Sequence, residues 1–315
     1  MAKKVALLFA GQGAQIVGMG RDLAKEFPEA ANLFQRANEV LSRDLSAIAW
    51  EGPIEELTRT SNCQPALYVH GLACLSVLRG VVGMFPVTAG GGLSLGEWTA
   101  HAAAGTFSFE DGLRLVEQRG RFMEAACEAT SGTMAAMIGA DESAVRALAA
   151  DTDVDVANLN APGQIVISGS RAKVELAVSL AKEHGIRRAT LLNVAGAYHS
   201  RLMETAWQQV GEALLGNVLE PPRFPIISNV TGEEVNSADD IRRTLQDQVT
   251  ATVRWTDCME RMLAMGCDLF LELGPGSVLA GLLQRTRKGA EVLSVGDVPS
   301  LQSCVEKLQS EVCGA

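Results

Sequence analysis

Histidine is scarce: only four occur in 315 residues, at 70, 101, 184 and 199. Any chemistry that needs an imidazole base has few places to stand. The seven cysteines (63, 74, 127, 258, 267, 304, 313) are scattered, odd in number and without a C-x-x-C pair. That argues against a disulfide framework or a zinc site and reads as reduced intracellular thiols. Positive charge is short, with 27 Lys and Arg against 37 Asp and Glu and a net charge of −10. Bulk attraction to nucleic acid is excluded, and an acidic partner would need a local basic patch. No long apolar run is unbroken. Residues 65–87 come nearest, but His70, Arg79 and Pro86 interrupt them, which fits a buried helix followed by a strand, not a membrane span. The apolar run at 5–10 is too short for a signal peptide's core and predicts a first strand. A dinucleotide fingerprint in Gly11-Gln12-Gly13 would need glycine at position 16, where Ile16 stands. There is no internal repeat and no low-complexity linker.

What is present suits one large domain, or one domain with an insertion: 47% of residues are hydrophobic and 20% charged. The most informative stretch is Ala89-Gly90-Gly91-Gly92-Leu93-Ser94-Leu95-Gly96-Glu97-Trp98-Thr99-Ala100, which contains G-x-S-x-G. An apolar segment at 81–87 precedes it as a predicted strand, and the Ala-rich 97–104 follows as a predicted helix. Strand, tight turn, helix is the setting of a nucleophile elbow, in which the helix N-terminus faces any anion formed at the serine. The motif alone fits equally a Gly-rich turn with an incidental serine.

Further along, 26–41 and 46–57 read as helices, the second broken by Gly52-Pro53. Thr60-Ser61-Asn62-Cys63-Gln64-Pro65-Ala66 opens a long helix, with Pro65 expected in its first turn. Residues 109–128 form an amphipathic helix with Leu113, Val116, Gly120 and Met123 on one face. Arg119 and Arg121 lie in its second half, where a solvated face is the usual place for arginine. Strand-like runs at 134–138, 154–158, 164–169 and 188–194 alternate with helices at 142–150 and 171–184. This β-α-β-β-α-β order resembles a ferredoxin-like insertion. The remaining alternation of strands and helices predicts a doubly wound parallel sheet. The expected fold is α/β: a parallel-sheet, α/β-hydrolase-like main domain at 1–132 and 198–315, with a ferredoxin-like α+β subdomain inserted at 133–197.

A nucleophilic serine needs a base. His70 lies within an apolar helix, His184 at a helix C-terminus, and His101 too close in sequence to swing back over Ser94. His199 stands on a loop among small residues where the insertion returns to the main body. Elimination makes it the candidate base, with His101 next in line.

Motifs in order along nearly the whole chain carry a resemblance. They are Phe9-Ala10-Gly11-Gln12-Gly13-Ala14-Gln15, Gln64-Pro65-Ala66, Gly92-Leu93-Ser94-Leu95-Gly96-Glu97, Arg114-Leu115-Val116-Glu117-Gln118-Arg119-Gly120, Asn160-Ala161-Pro162-Gly163-Gln164, Gly196-Ala197-Tyr198-His199 and Glu272-Leu273-Gly274-Pro275-Gly276. With them the chain resembles the malonyl-CoA:acyl-carrier-protein transacylases, which load malonyl groups in fatty-acid synthesis. The resemblance implies that Ser94 is the nucleophile and His199 its base, oriented by the backbone carbonyl of Gln248 and by no carboxylate. It implies an oxyanion hole from the N–H groups of Gln12 and Leu95, and pairing of Arg119 with the malonyl carboxylate. Gln64, Asn160 and Tyr198 fall with the substrate, Tyr198 as a bulky neighbour of the histidine that disfavours branched acyl groups. Two positions depart from the family pattern. Leu93 replaces a histidine before the serine, which predicts a drier pocket, and Ala10 replaces a proline.

The implied partners are malonyl-CoA and acyl carrier protein, with the phosphopantetheine carried by the latter. No metal or bound cofactor is implied, and neither nucleic acid nor membrane. Arg187, Arg188, Arg285, Arg287 and Lys288 are candidate contacts for an acidic carrier, with ordinary surface charge as the plainer reading. A free-standing, cytoplasmic monomer is expected. Three alternatives share these residues: a discrete acyltransferase of a polyketide assembly line, a hydrolase using the same elbow, and a non-catalytic carrier-binding scaffold.

Overall fold

Five consecutive apolar residues leave a strand no polar face, so it must be covered on both sides. Val5–Phe9 (β1) is fully buried. Val5, Leu7 and Phe9 face one apolar layer, and Ala6 and Leu8 the other. The computed structural model describes residues 3–311, so Met1, Ala2 and Cys313 lie outside it. β1 is third in a six-stranded sheet with Val87–Gly92 (β2), Ile226–Ile227 (β7), Glu234–Val235 (β8), Leu269–Leu273 (β9) and Glu291–Val295 (β10). The order is β10-β9-β1-β2-β7-β8. All neighbours run parallel except β7 and β8. The six described cysteines are free and buried.

The strand before Ser94 is not the apolar 81–87 but the glycine run itself. The long helix continues to Val82, and β2 begins at Val87. Glycine is used here for close packing. A Cβ on Gly90 would meet the Phe224 ring at 2.7 Å, and one on Gly91 would meet Met262 Cε at 2.7 Å. That long helix, Thr60–Val82, also starts before Pro65, which sits inside it. Proline cannot donate to the carbonyl four residues back. The Ser61 carbonyl instead accepts from Arg43 Nη2 at 2.8 Å. The helix has the length and hydropathy of a membrane span, but it is a core helix, packed on Phe109–Ala129 and beneath the sheet.

Residues 132–191 build a second, antiparallel sheet from Gly132–Ile138 (β3), Asp155–Ala161 (β4), Gln164–Ser170 (β5) and Arg188–Leu191 (β6), in the order β4-β5-β3-β6. Helices Glu142–Thr152 and Arg171–Leu180 cover one face with a core of their own, including Ala135, Met137, Ile165 and Ile167. The opposite face turns Met134 and Val166 toward the main body. β4 is tied to that body by Leu159 N–H to the Val253 carbonyl at 2.9 Å and Val253 N–H to the Ala157 carbonyl at 2.8 Å.

Candidate active site

The C-terminal ends of β1, β2 and β9 lie side by side, the usual place for a ligand in a parallel sheet. Their loops approach so closely that side chains are excluded. A Cβ on Gly96 would lie 2.0 Å from the Phe9 carbonyl oxygen, and one on Gly92 would lie 2.2 Å from the Gly96 carbonyl carbon. Ser94 closes the turn with φ 54° and ψ −105°, a conformation that costs a non-glycine residue about 1–3 kcal/mol. Hydrogen bonds hold it there. Its N–H donates to Asn229 Oδ1 at 2.7 Å, and its carbonyl accepts from Gln248 Nε2 at 3.0 Å. Asn229 Nδ2 donates to the Gly92 carbonyl at 2.9 Å, so one side chain grips both sides of the turn.

His199, also at positive φ (55°), brings Nε2 to 2.8 Å from Ser94 Oγ. Its Nδ1 lies 2.8 Å from the Gln248 carbonyl. A carbonyl only accepts, so the proton sits on Nδ1 and the Nε2 lone pair faces the serine hydroxyl. Burial, and then the nearby Arg119 charge, lower the His199 pKa to about 4. The imidazole is therefore neutral and able to accept a proton at any pH well above that.

Arg119 is fully buried on helix Phe109–Ala129. Its Nη2 donates to Ser94 Oγ at 3.0 Å and to Gln248 Oε1 at 3.0 Å, and its Nη1 to Gln64 Oε1 at 2.6 Å. Its guanidinium also lies 5.8 Å from the centre of the Trp98 ring. Burial lowers its pKa to about 10, and the Glu97 charge works the other way. Arg121, two residues on, is exposed and faces Glu117.

A cavity of about 510 Å³ opens over this group, between the main sheet and the inner face of the second one. Gln12, Gln64, Ser94 and Leu95 line it from the main body with Arg119, Tyr198 and His199, and Asn160 lines it from β4. Gln248 stands behind the wall, its carbonyl on His199 and its amide on Arg119. As the first residue of its helix, Leu95 has an N–H with no acceptor inside it. Tyr198 Oη is 2.6 Å from Thr60 Oγ1, which also accepts from Gln12 Nε2 at 3.3 Å. Asn160 Oδ1 is buried without a partner. Leu93 is part of the cavity lining. Ala10 keeps an N–H that reaches the Leu273 carbonyl at 3.4 Å, a bond proline could not make.

The other histidines are engaged elsewhere. His70 Nε2 is 2.9 Å from the Gly296 carbonyl, His101 Nδ1 is 3.0 Å from Thr106 Oγ1, and His184 faces Asp151. Among the described residues, no three His, Cys, Asp or Glu side chains gather as a metal site. Arg187, Arg188, Arg285, Arg287 and Lys288 are all exposed.

Three participants carry no role in the sequence reading: Asn229, Glu97 and the Gln248 side chain. Asn229 lies just after a two-residue strand, in what reads as a plain turn. Glu97 offers a faint signal, as the one carboxylate in the Ala-rich helix Leu95–Ala104. It is fully buried. Its Oε2 accepts from Gln248 Nε2 at 2.6 Å and from Asn229 N–H at 3.0 Å. Burial raises its pKa to about 7 against those bonds and the Arg119 charge.

Residues 6–311 match the family described as acyl transferase domain. A Bacillus subtilis strain 168 protein, malonyl CoA-acyl carrier protein transacylase, is 40% identical over 98% of both chains. The crystal structure of an acyl-carrier-protein S-malonyltransferase from Bartonella henselae superposes with a TM-score of 0.93 at 38% identity, covering 97% of this chain and 99% of that one. A malonyl-transacylase solved in complex with its type II PKS acyl-carrier protein superposes with a TM-score of 0.91 at 37% identity, over 96% of this chain and 99% of that one.

Proposed function

Because the chain belongs to the acyl transferase family, we propose that it moves malonyl from malonyl-CoA to the phosphopantetheine thiol of an acyl carrier protein, for fatty-acid synthesis. One observation carries the site assignment: a serine hydroxyl 2.8 Å from a neutral imidazole and 3.0 Å from a buried guanidinium. Ser94 Oγ attacks the thioester carbonyl while His199 Nε2 takes its proton. The oxyanion is held by the N–H groups of Gln12 and Leu95. Collapse breaks the carbon–sulfur bond, and His199 returns the proton to the departing CoA thiolate. The carrier's thiol then gives its proton to His199 and attacks the malonyl-serine ester; the ester carbon–oxygen bond breaks, and His199 passes the proton to the departing Ser94 Oγ. No step calls on a metal or a bound cofactor.

Arg119 takes the malonyl carboxylate, which loses its water in the cavity and needs a fixed cation. Acylation turns Ser94 Oγ into an ester oxygen, a weak acceptor, and so releases Nη2 for that carboxylate. Gln64 keeps Nη1 in place, and Tyr198 and Asn160 line the acyl and pantetheine path. A monomer suffices for this chemistry, since Ser94, His199, Arg119 and Gln248 already meet within one chain. The cytoplasm suits six buried free thiols. The β-α-β-β-α-β order supports a ferredoxin-like subdomain at 133–197. The strand–turn–helix at Ser94 supports an α/β-hydrolase-like body at 1–132 and 198–315.

Intact-mass analysis after mixing with malonyl-CoA tests this reading. A malonyl adduct should map to the Ser94 peptide and vanish in Ser94→Ala; an adduct that survives the change sinks the assignment. A second reading, service to a polyketide carrier, draws on the 37% identity to the malonyl-transacylase solved with a type II PKS acyl-carrier protein. Transfer rates to fatty-acid and polyketide carriers separate the two. Thiol-independent CoA release would point instead to a hydrolase.

A further inference from the structure

A buried arginine needs negative charge nearby, yet no carboxylate lies within ion-pair distance of Arg119 among the described residues. The path from Arg119 leads through one amide. Gln248 Oε1 accepts from Arg119 Nη2 at 3.0 Å and from Trp98 Nε1 at 3.1 Å, and Gln248 Nε2 donates to Glu97 Oε2 at 2.6 Å. The amide cannot be turned round. Trp98 and Arg119 can only donate, and the Glu97 carboxylate and the Ser94 carbonyl only accept. Glu97 and Arg119 thus face opposite ends of one oriented dipole, both fully buried. Each keeps an unpartnered polar atom, Glu97 Oε1 and Arg119 Nε.

We infer that Glu97 is the counter-ion of Arg119, held one amide away so that only neutral, exchangeable acceptors, and no carboxylate of the protein, sit on the guanidinium edge that the carboxylate of an incoming acyl group would take. A direct ion pair would occupy that edge. With no counter-charge, the arginine would be an isolated buried cation. The separated pair avoids both, and Glu97 is a positioning residue that never touches the substrate. The inference rests on Arg119 as the malonyl partner.

The consequence has a definite sign. Malonyl brings a second negative charge to a pair that is already neutral overall, so Glu97 opposes its entry. Neutralising Glu97 should favour malonyl over an uncharged acyl group. A carboxylate that served only packing would, once altered, harm both substrates alike. Burial brings Glu97 to about 7, so the same neutralisation occurs in the unaltered protein as pH falls. The other titratable groups around it stay fixed between pH 6 and 8. Arg119 lies at about 10, His199 at about 4, and burial drives the Cys258 thiol far above its ordinary value. The CoA phosphates are common to both donors and cancel in a ratio.

The test is the ratio of kcat/KM for malonyl-CoA over acetyl-CoA, followed from pH 6 to 8 in the parent, Glu97→Gln and Arg119→Ala. Glu97→Gln keeps an oxygen for both donors and removes the charge. Its ratio should exceed the parent's by about tenfold at pH 8, within the usual range for coupled sites, and should not vary with pH. The parent's ratio should rise as pH falls through 7. A Glu97→Gln ratio equal to or below the parent's overturns the inference. Should that variant fold poorly, a flat parent profile overturns it equally. Arg119→Ala separates the two layers. If it lowers malonyl and acetyl use equally, the reading of Arg119 itself fails. If it is selective but Glu97→Gln shifts nothing, only the counter-ion role fails.

Discussion

Replacing Asn229 removes the clamp on the Ser94 turn and can be costed bond by bond. The residue is fully buried. In Asn229→Ala its own N–H still reaches Glu97, but the Ser94 N–H and the Gly92 carbonyl lose their partners at 2.7 and 2.9 Å. Leaving a buried donor or acceptor unsatisfied costs about 1–3 kcal/mol each, so the expected loss is about 2–6 kcal/mol. At roughly 2–4 °C per kcal/mol for a large chain, Tm should fall by about 4–24 °C. Ser94 at φ 54° and ψ −105° would also be freer to relax, so acylation by malonyl-CoA should slow at temperatures where the protein is still folded. Asn229→Leu separates volume from hydrogen bonding, because leucine fills similar space and offers no polar atom. Both variants should be destabilised and slow, as read by urea unfolding and by stopped-time acylation. If Asn229→Leu unfolds within about 0.5 kcal/mol of the parent, the size of a neutral surface change, and acylates at the parent's rate, the clamp is not what holds the turn.

Other outcomes follow from the same geometry. His199→Ala should slow acylation by about 10²–10⁴-fold with the fold intact by circular dichroism; near-normal rates would move the base elsewhere. Arg119→Ala should lower malonyl kcat/KM by about 10²-fold or more, with Arg121→Ala as a neutral control. The sequence alone predicts that acetyl transfer would hold or improve in Arg119→Ala. The Arg119–Ser94 Oγ bond of 3.0 Å changes this to a smaller loss, checked by acetyl-CoA kinetics. Acid should destabilise the fold. Burial holds His70 and His199 near 4 and His101 near 3, while the unfolded chain takes up these protons near 6.5. Stability therefore falls as pH drops from about 6.5 toward 4, by about 1.4 kcal/mol per proton per pH unit. Glu97 and Glu272, raised by burial, oppose this only in part, and urea melts across that range should show the net loss. Gly96→Ala should yield little folded protein on size-exclusion chromatography, since its Cβ would lie 2.0 Å from a backbone oxygen.

The chain's local order determined a good deal by itself. The unbroken apolar Val5–Phe9 can only be a strand covered on both faces, and the spacing in 109–128 marks its buried side. Glycines flanking Ser94 announce a turn because only glycine tolerates backbone at such range. Where adjacency in space counted, sequence was silent or misleading. By sequence the glycine run reads as turn alone, yet it is strand, because Phe224 and Met262 lie where its side chains would be. The local pattern places Pro65 in the first turn of its helix, yet it sits beyond that turn, inside Thr60–Val82, where Arg43 satisfies the carbonyl it leaves free. The same limit governs the site. Residues 94, 119, 199 and 248 carry no mark in composition that they will touch. Only the packing of the sheet, helix Phe109–Ala129 and the return loop at 195–199 brings them within hydrogen-bond distance. Burial then does what no residue type fixes in advance. It keeps His199 neutral, brings Glu97 to the edge of ionisation, and makes a distant carboxylate matter to Arg119 because little water remains to screen one from the other.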